Sequence, residues 1–122
     1  MTDDLLEMLA SETDRRAPTI IKGLQKLGGA SEQDPDAIEE LRVEAHGLKG
    51  AAMVVGQKRL AKLGEQVEIA LVQRIGPGTV DPELAGRIIT AIEAFSDGTR
   101  AAAEGEDEPP SVAASLAALE AG

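Results

Sequence analysis

Ile38, Leu41, Ala45, Leu48, Ala52 and Val55 recur at steps of 3, 4, 3, 4 and 3 residues, and nothing else in the chain restricts its fold as tightly. That spacing lays the apolar residues along one side of a helix. The rhythm breaks once, at Gly56, a natural helix stop and turn, and resumes as Leu60, Leu63, Val67, Ala70 and Leu71. Two amphipathic helices joined by so short a turn are expected to lie antiparallel against each other.

The same pattern extends in both directions. Thr2 or Asp3 can cap a first helix whose apolar residues are Leu5, Leu6, Met8 and Leu9, and Ser11 with Asp14 resembles a capping box for a new segment. Ala17, Ile20, Leu24 and Leu27 continue the rhythm, but Pro18 removes a donor and crowds the preceding turn. A kink or break is therefore expected between a short first helix and a second one, with Gly28-Gly29 as its stop and Ala30–Pro35 as a loop. Asp34 with Pro35 starts the central helix, which runs to about Val55, and a helix over Gln57–Ile75 follows. Gly76-Pro77-Gly78 is a turn, and Asp81-Pro82-Glu83 starts a helix carrying Leu84, Ile88, Ala91, Ile92, Phe95, Thr99 and Ala102, weakened locally by Gly98.

From Glu104 the character changes. The run EGEDEPP reads as a linker, and Ser111 can cap a short helix with Val112, Leu116 and Leu119 on one side. That segment either frays as a tail or starts a longer protein, or it docks on the bundle or a partner. No strand alternation and no internal repeat is visible. The expected fold is all-α: an up-down antiparallel four-helix bundle over residues 1–103, with a short N-terminal helix, and an acidic linker and short apolar helical tail over 104–122.

Composition narrows the function classes. Asp and Glu number 22 against 12 Lys and Arg, a formal charge of -10, which argues against nucleic acid or an anionic membrane surface as partner. The absence of cysteine excludes disulfides, thiolate metal sites and cysteine catalysis. No apolar run is long enough to insert in a membrane, and the opening MTDDLLEM is acidic where a signal peptide is basic, so a cytoplasmic protein is expected. A carboxylate-bridged metal bundle needs histidines on two helices, and the chain has one. There is no glycine-rich nucleotide loop, so no kinase catalytic domain of its own is expected.

That single histidine is the chemical centre. At ~100° per residue His46 points away from the apolar stripe of its helix, with Arg42, Lys49 and Gly50 one turn away, Met53 two turns on and Glu39 two turns back. About a turn at Gly56–Gln57, residues whose numbers sum to roughly 114 share one height, since both helices rise equally per residue. His46 is then level with Glu68, and Lys49 with Glu65. Glu68 flanks its helix along a stripe with Gln57, Ala61 and Gly64. A carboxylate there can hold one ring nitrogen, fixing the tautomer and leaving the other nitrogen a better nucleophile. Gly50 and Gly64 either allow close helix packing or give a partner access.

The run His46-x-Leu48-Lys49-Gly50-Ala51-Ala52-x-x-Val55-Gly56, followed by Leu60, Leu63 and Glu68, resembles a histidine phosphotransfer (HPt) domain. It is most similar to the phosphotransfer domain opening CheA-type chemotaxis histidine kinases, in layout over roughly residues 1–103 and in motif over 41–68. Gly47 stands where that pattern has a serine, and Val55 and Gln57 where it has aromatic residues. The resemblance implies that His46 accepts a phosphoryl group from a histidine kinase ATP-binding domain and passes it to a response-regulator receiver aspartate. It implies further that Lys49 steadies the phosphoryl oxygens and that Glu68 holds the ring. Arg42, Gly50, Met53 and Gly64 would serve receiver docking and access. No cofactor is expected, since the metal belongs to the receiver. The competing expectation is a helical scaffold that carries no phosphoryl group and tolerates replacement of His46.

Overall fold

The computed structural model describes residues 2–28, 34–75 and 81–121, with side chains from Asp4 onward. Gly29 of the expected Gly28-Gly29 stop, the loop over 30–33 and the Gly76-Pro77-Gly78 turn lie outside the described residues, as do the side chains of Thr2 and Asp3 on which a cap depends. Within them the chain is helical and contains no strand: α1 spans Thr2–Gly28, α2 Pro35–Val54, α3 Lys58–Ile69, α4 Pro82–Ala103 and α5 Pro110–Glu120.

The helix starts follow local chemistry. The Asp34 carboxylate accepts from the backbone N–H groups of Asp36 (3.0 Å) and Ala37 (3.3 Å), and Asp81 accepts from Glu83 (3.1 Å), each just ahead of a proline whose missing N–H costs nothing there. α2 ends where Gly56 takes φ +77° and the N–H groups of Gly56 and Gln57 return to the carbonyls of Met53 and Ala52, which satisfies two orphan acceptors. Gly105, at φ +73°, ends α4 in the same way.

No break separates a short N-terminal helix from a second one. α1 runs through Pro18 as one helix of 27 residues. Ser11 and Asp14, read as a start, lie in its interior. Pro18 and the preceding-turn residue Asp14 are both exposed, so water can serve the carbonyl that the proline leaves unpaired. The buried residues Leu9, Thr13, Ala17, Ile20, Leu24 and Leu27 form one stripe across the proline. At roughly 1.5–3 kcal/mol for each large side chain buried, that stripe outweighs the ~3 kcal/mol cost of an interior proline. Thr13 supplies the missing step: its hydroxyl donates to the Leu9 carbonyl at 2.8 Å, so a polar residue is buried without an orphaned group.

α1 packs against α2 and α4, and α3 also packs against α2 and α4, closing a ring of four around an aliphatic core that holds the one aromatic residue, Phe95. α3 does not simply continue to Ile75. Residues Ala70–Arg74 form a π-helical turn, with the Ile75 N–H reaching the Ala70 carbonyl at 3.3 Å. The wider turn keeps Val67, Ala70, Leu71 and Ile75 all buried. α5 is docked and does not fray: Val112, Leu116 and Leu119 are buried against α3 and α4. Gly98 makes that docking possible, because a Cβ there would lie 2.6 Å from Leu60 Cδ2 and 3.2 Å from Val112 Cγ2. Arg59 pairs with Glu108 (2.9 Å), Lys62 with Glu120 (3.3 Å), and the Arg74 guanidinium donates to the Leu119 carbonyl, so α3 and its π turn hold both ends of α5.

Candidate functional site

His46 sits midway along α2, whose inner side is fixed by the burial of Leu41, Ala45, Leu48 and Ala52. The ring therefore projects from the flank of the helix and is 63% exposed. Across the gap, α3 is anchored by Leu60, Leu63 and Val67, which turns Glu68 toward α2. His46 Nδ1 lies 3.2 Å from each oxygen of the Glu68 carboxylate. A carboxylate only accepts, so Nδ1 is the nitrogen that carries the hydrogen in the neutral ring, in which Nε2 keeps its lone pair. Nε2 has no partner among the described residues, which leaves it able to attack an electrophile from solvent.

The same carboxylate has a second donor. Arg42 Nη1 bonds Glu68 Oε2 at 3.0 Å, while its Nε and Nη2 bond the two oxygens of Glu39 at 2.9 and 2.6 Å. Arg42 thus faces into the site. The Arg42 guanidinium holds the Glu39 carboxyl below the usual carboxylate range, and Glu39 with Glu68 pushes the Arg42 guanidinium up.

Lys49 is half-buried and forms no ion pair with Glu65. Both line a concavity of 590 Å³ between α2 and α3, together with Met53, Lys58, Ala61 and Lys62. Met53 is 60% exposed, and Gly50 has nothing within 4 Å of where a Cβ would stand. Gly64 is different. It is buried, and a Cβ there would lie 3.1 Å from Lys49 Cα and 3.2 Å from Lys49 N and Cβ. Its missing side chain lets α2 and α3 approach each other closely.

Two residues beside the histidine went unread in the sequence. Arg16 of α1 is held by Glu12 (2.7 Å) and Glu44 (3.2 Å), and its guanidinium occupies the space a side chain at Gly47 would take, with Nη1 2.5 Å from the Cβ position. The glycine that follows His46 thus has an arginine guanidinium from another helix lying over it. The i,i+4 spacing of Glu12 and Arg16 was a visible signal, but their reach to α2 was not. Glu12, bonded to Arg16 and Arg15, is held below its ordinary value, and Arg16 is pushed up by Glu12.

Among the described residues no group of three or more His, Cys, Asp or Glu side chains is placed to hold a metal ion, and no helix is long and apolar enough to cross a membrane. Residues 4–98 match the Hpt domain, and the chain belongs to that family, whose members carry phosphotransfer in two-component signalling and interact with kinases and response regulators. The match covers α1 to α3 and most of α4, and α5 lies beyond it. No curated protein matches the chain.

Proposed function

We propose that His46 is the phosphoacceptor of this Hpt domain, taking a phosphoryl group from the ATP-binding domain of a histidine kinase and handing it to a receiver aspartate. The observation that carries this reading is the 3.2 Å contact between His46 Nδ1 and Glu68 on an exposed ring, which leaves Nε2 as the nucleophile. Nε2 attacks phosphorus in line. The transition state is loose, so position and charge matter more than covalent help from the protein. Lys49, one turn along α2 and without an ion pair among the described residues, offsets charge on the phosphoryl oxygens, and Glu68 stabilises the imidazolium that forms. The metal and aspartate of the onward step belong to the receiver, so the chain needs no cofactor.

Residues 1–103 act in this reading as the phosphotransfer unit, a cytoplasmic up-down antiparallel four-helix bundle extended by 104–122. Opposite residue order along the helix pairs supports the topology: Arg16 meets Glu44 while Gly23 meets Leu41, and His46 meets Glu68 while Lys49 meets Gly64. The receiver docks over the groove between α1 and α2, where Leu5, Met8 and Val54 are exposed and Gly47 and Gly50 line the floor. Docking is weak, since a relay partner must leave. The likeness of the His46–Gly50 run to CheA-type kinases makes a chemotaxis kinase the expected donor.

The test is labelling by a histidine kinase with ATP, or by a phosphorylated receiver. The expected label is acid-labile, base-stable and absent in His46→Gln with its helical circular dichroism intact. Label persisting in that variant refutes the assignment, and no label on the wild type leaves a helical scaffold. In the same assay Lys49→Ala slows transfer, and an unchanged rate removes its role.

A further inference from the structure

We infer that Arg42 is a positioning residue for the phosphoacceptor, acting through Glu68 to hold His46 in the tautomer whose Nε2 is nucleophilic. The inference rests on the phosphoacceptor reading above and assigns to Arg42 a part that docking does not give it. Glu68 reaches across from α3, and nothing on its own helix fixes its carboxylate; the bonds it receives are from Arg42 and His46, both on α2. Arg42 is itself fixed by a two-point contact with Glu39 one turn earlier on α2. The order of constraint is therefore Glu39, Arg42, Glu68, His46: a rigid fork sets an arginine, the arginine sets a carboxylate, and the carboxylate sets a ring.

The geometry explains why an arginine serves here. One guanidinium presents Nε and Nη2 to Glu39 and still has Nη1 for Glu68, whereas a lysine has one nitrogen and cannot hold both carboxylates in a planar fork. With Oε2 of Glu68 engaged by Arg42, the carboxylate stays aimed, and both its oxygens remain 3.2 Å from Nδ1. Without Arg42, Glu68 is free to rotate into solvent, the Nδ1–H bond is lost for part of the time, and the ring samples the tautomer in which Nε2 carries the hydrogen and cannot attack.

Phosphoramidate, a small donor, separates positioning from docking because it needs no protein surface. In the step, the Nε2 lone pair forms the N–P bond, the P–N bond of the donor breaks, and ammonia leaves with the protons it carried. Nδ1 keeps its hydrogen, and the positive ring is balanced by Glu68. Arg42→Gln is expected to slow this labelling by about 3- to 10-fold, with Arg42→Lys in between. In a Glu68→Ala background Arg42→Gln is expected to change nothing further, because the arginine then has no carboxylate to act through. Nitrogen-15 spectra of the ring at about pH 9, where an ordinary imidazole is neutral, are expected to show mainly the Nδ1–H form in the wild type and a mixture in Arg42→Gln.

Three results overturn the inference: unchanged phosphoramidate labelling with slowed transfer from a protein partner alone, which makes Arg42 a docking residue; additive losses from Arg42→Gln and Glu68→Ala; or an unchanged tautomer in Arg42→Gln. The spectra require no phosphoryl donor. They therefore decide the positioning claim even where kinase labelling of the wild type fails and the phosphoacceptor reading falls.

Discussion

Replacing Gly64 by alanine adds one methyl group at a tight point of contact between α2 and α3, one turn before Glu68 on its helix. The new Cβ would stand 3.1 Å from Lys49 Cα and 3.2 Å from Lys49 N and Cβ, all of them backbone or directly attached to it. Carbon atoms rest about 3.5–4.0 Å apart, so the two helices must separate by roughly 0.5 Å. Two terms then compete. Alanine in a helix interior gains about 1 kcal/mol over glycine, while forcing a methyl group into a filled contact costs about 1–3 kcal/mol. The expected net is a loss of up to about 2 kcal/mol. Gly50→Ala is the control, because it adds the same methyl group to a helix interior where nothing lies within 4 Å. That variant gains the propensity term alone. The difference between the two isolates the crowding of about 1–3 kcal/mol, and with a urea m-value of about 1–3 kcal/mol/M it separates their unfolding midpoints by roughly 0.3–3 M. Helical circular dichroism during urea unfolding reads it. The site should feel the same displacement: a 3.2 Å contact from His46 to Glu68 lengthened by about 0.5 Å is no longer a hydrogen bond, so labelling of Gly64→Ala should fall more than its stability does. If Gly64→Ala is as stable as Gly50→Ala, the close approach of α2 and α3 is wrong.

Pro18→Ala should stabilise the protein by about 1–3 kcal/mol, since an exposed proline inside a continuous α1 sacrifices a helix bond that alanine restores; an unchanged urea midpoint would mean that the helix is broken there after all. Stability should also fall in acid. Glu12 and Glu39 are held below their ordinary value of 4.5 by arginines, so their contribution is fully present above that pH and is lost as pH drops through the lower folded values. The measurement is the urea midpoint against pH, in which Glu12→Gln and Glu39→Gln should each flatten the limb below pH 4.5; limbs parallel to the wild type would show that these pairs add nothing.

The parts of this protein written into the chain are those governed by neighbours within about four residues. The 3/4 steps of Leu41, Ala45, Leu48 and Ala52 name the buried side of α2, Asp34-Pro35 and Asp81-Pro82 mark helix starts, and Gly56 marks a turn, because capping and amphipathicity are local. Even the height of Glu68 opposite His46 follows from helix rise once the turn is placed. What crosses from one helix to another was settled only by packing. Pro18 forecasts a break by its own chemistry, and the stripe buried on α2 and α4 overrules it. Thr13 looks polar in a list and is buried in the structure because its hydroxyl finds the Leu9 carbonyl. Gly47, Gly64 and Gly98 are alike as letters, yet each meets a different visitor: the Arg16 guanidinium, the Lys49 backbone, and the side chains of Leu60 and Val112. Arg42 stands in the sequence as a cation one turn before His46, and that Glu39 and Glu68 share it is seen only in the packed helices. Local propensity chose the helices, but the distances between their side chains, and so the chemistry of one imidazole, exist only once the helices are packed.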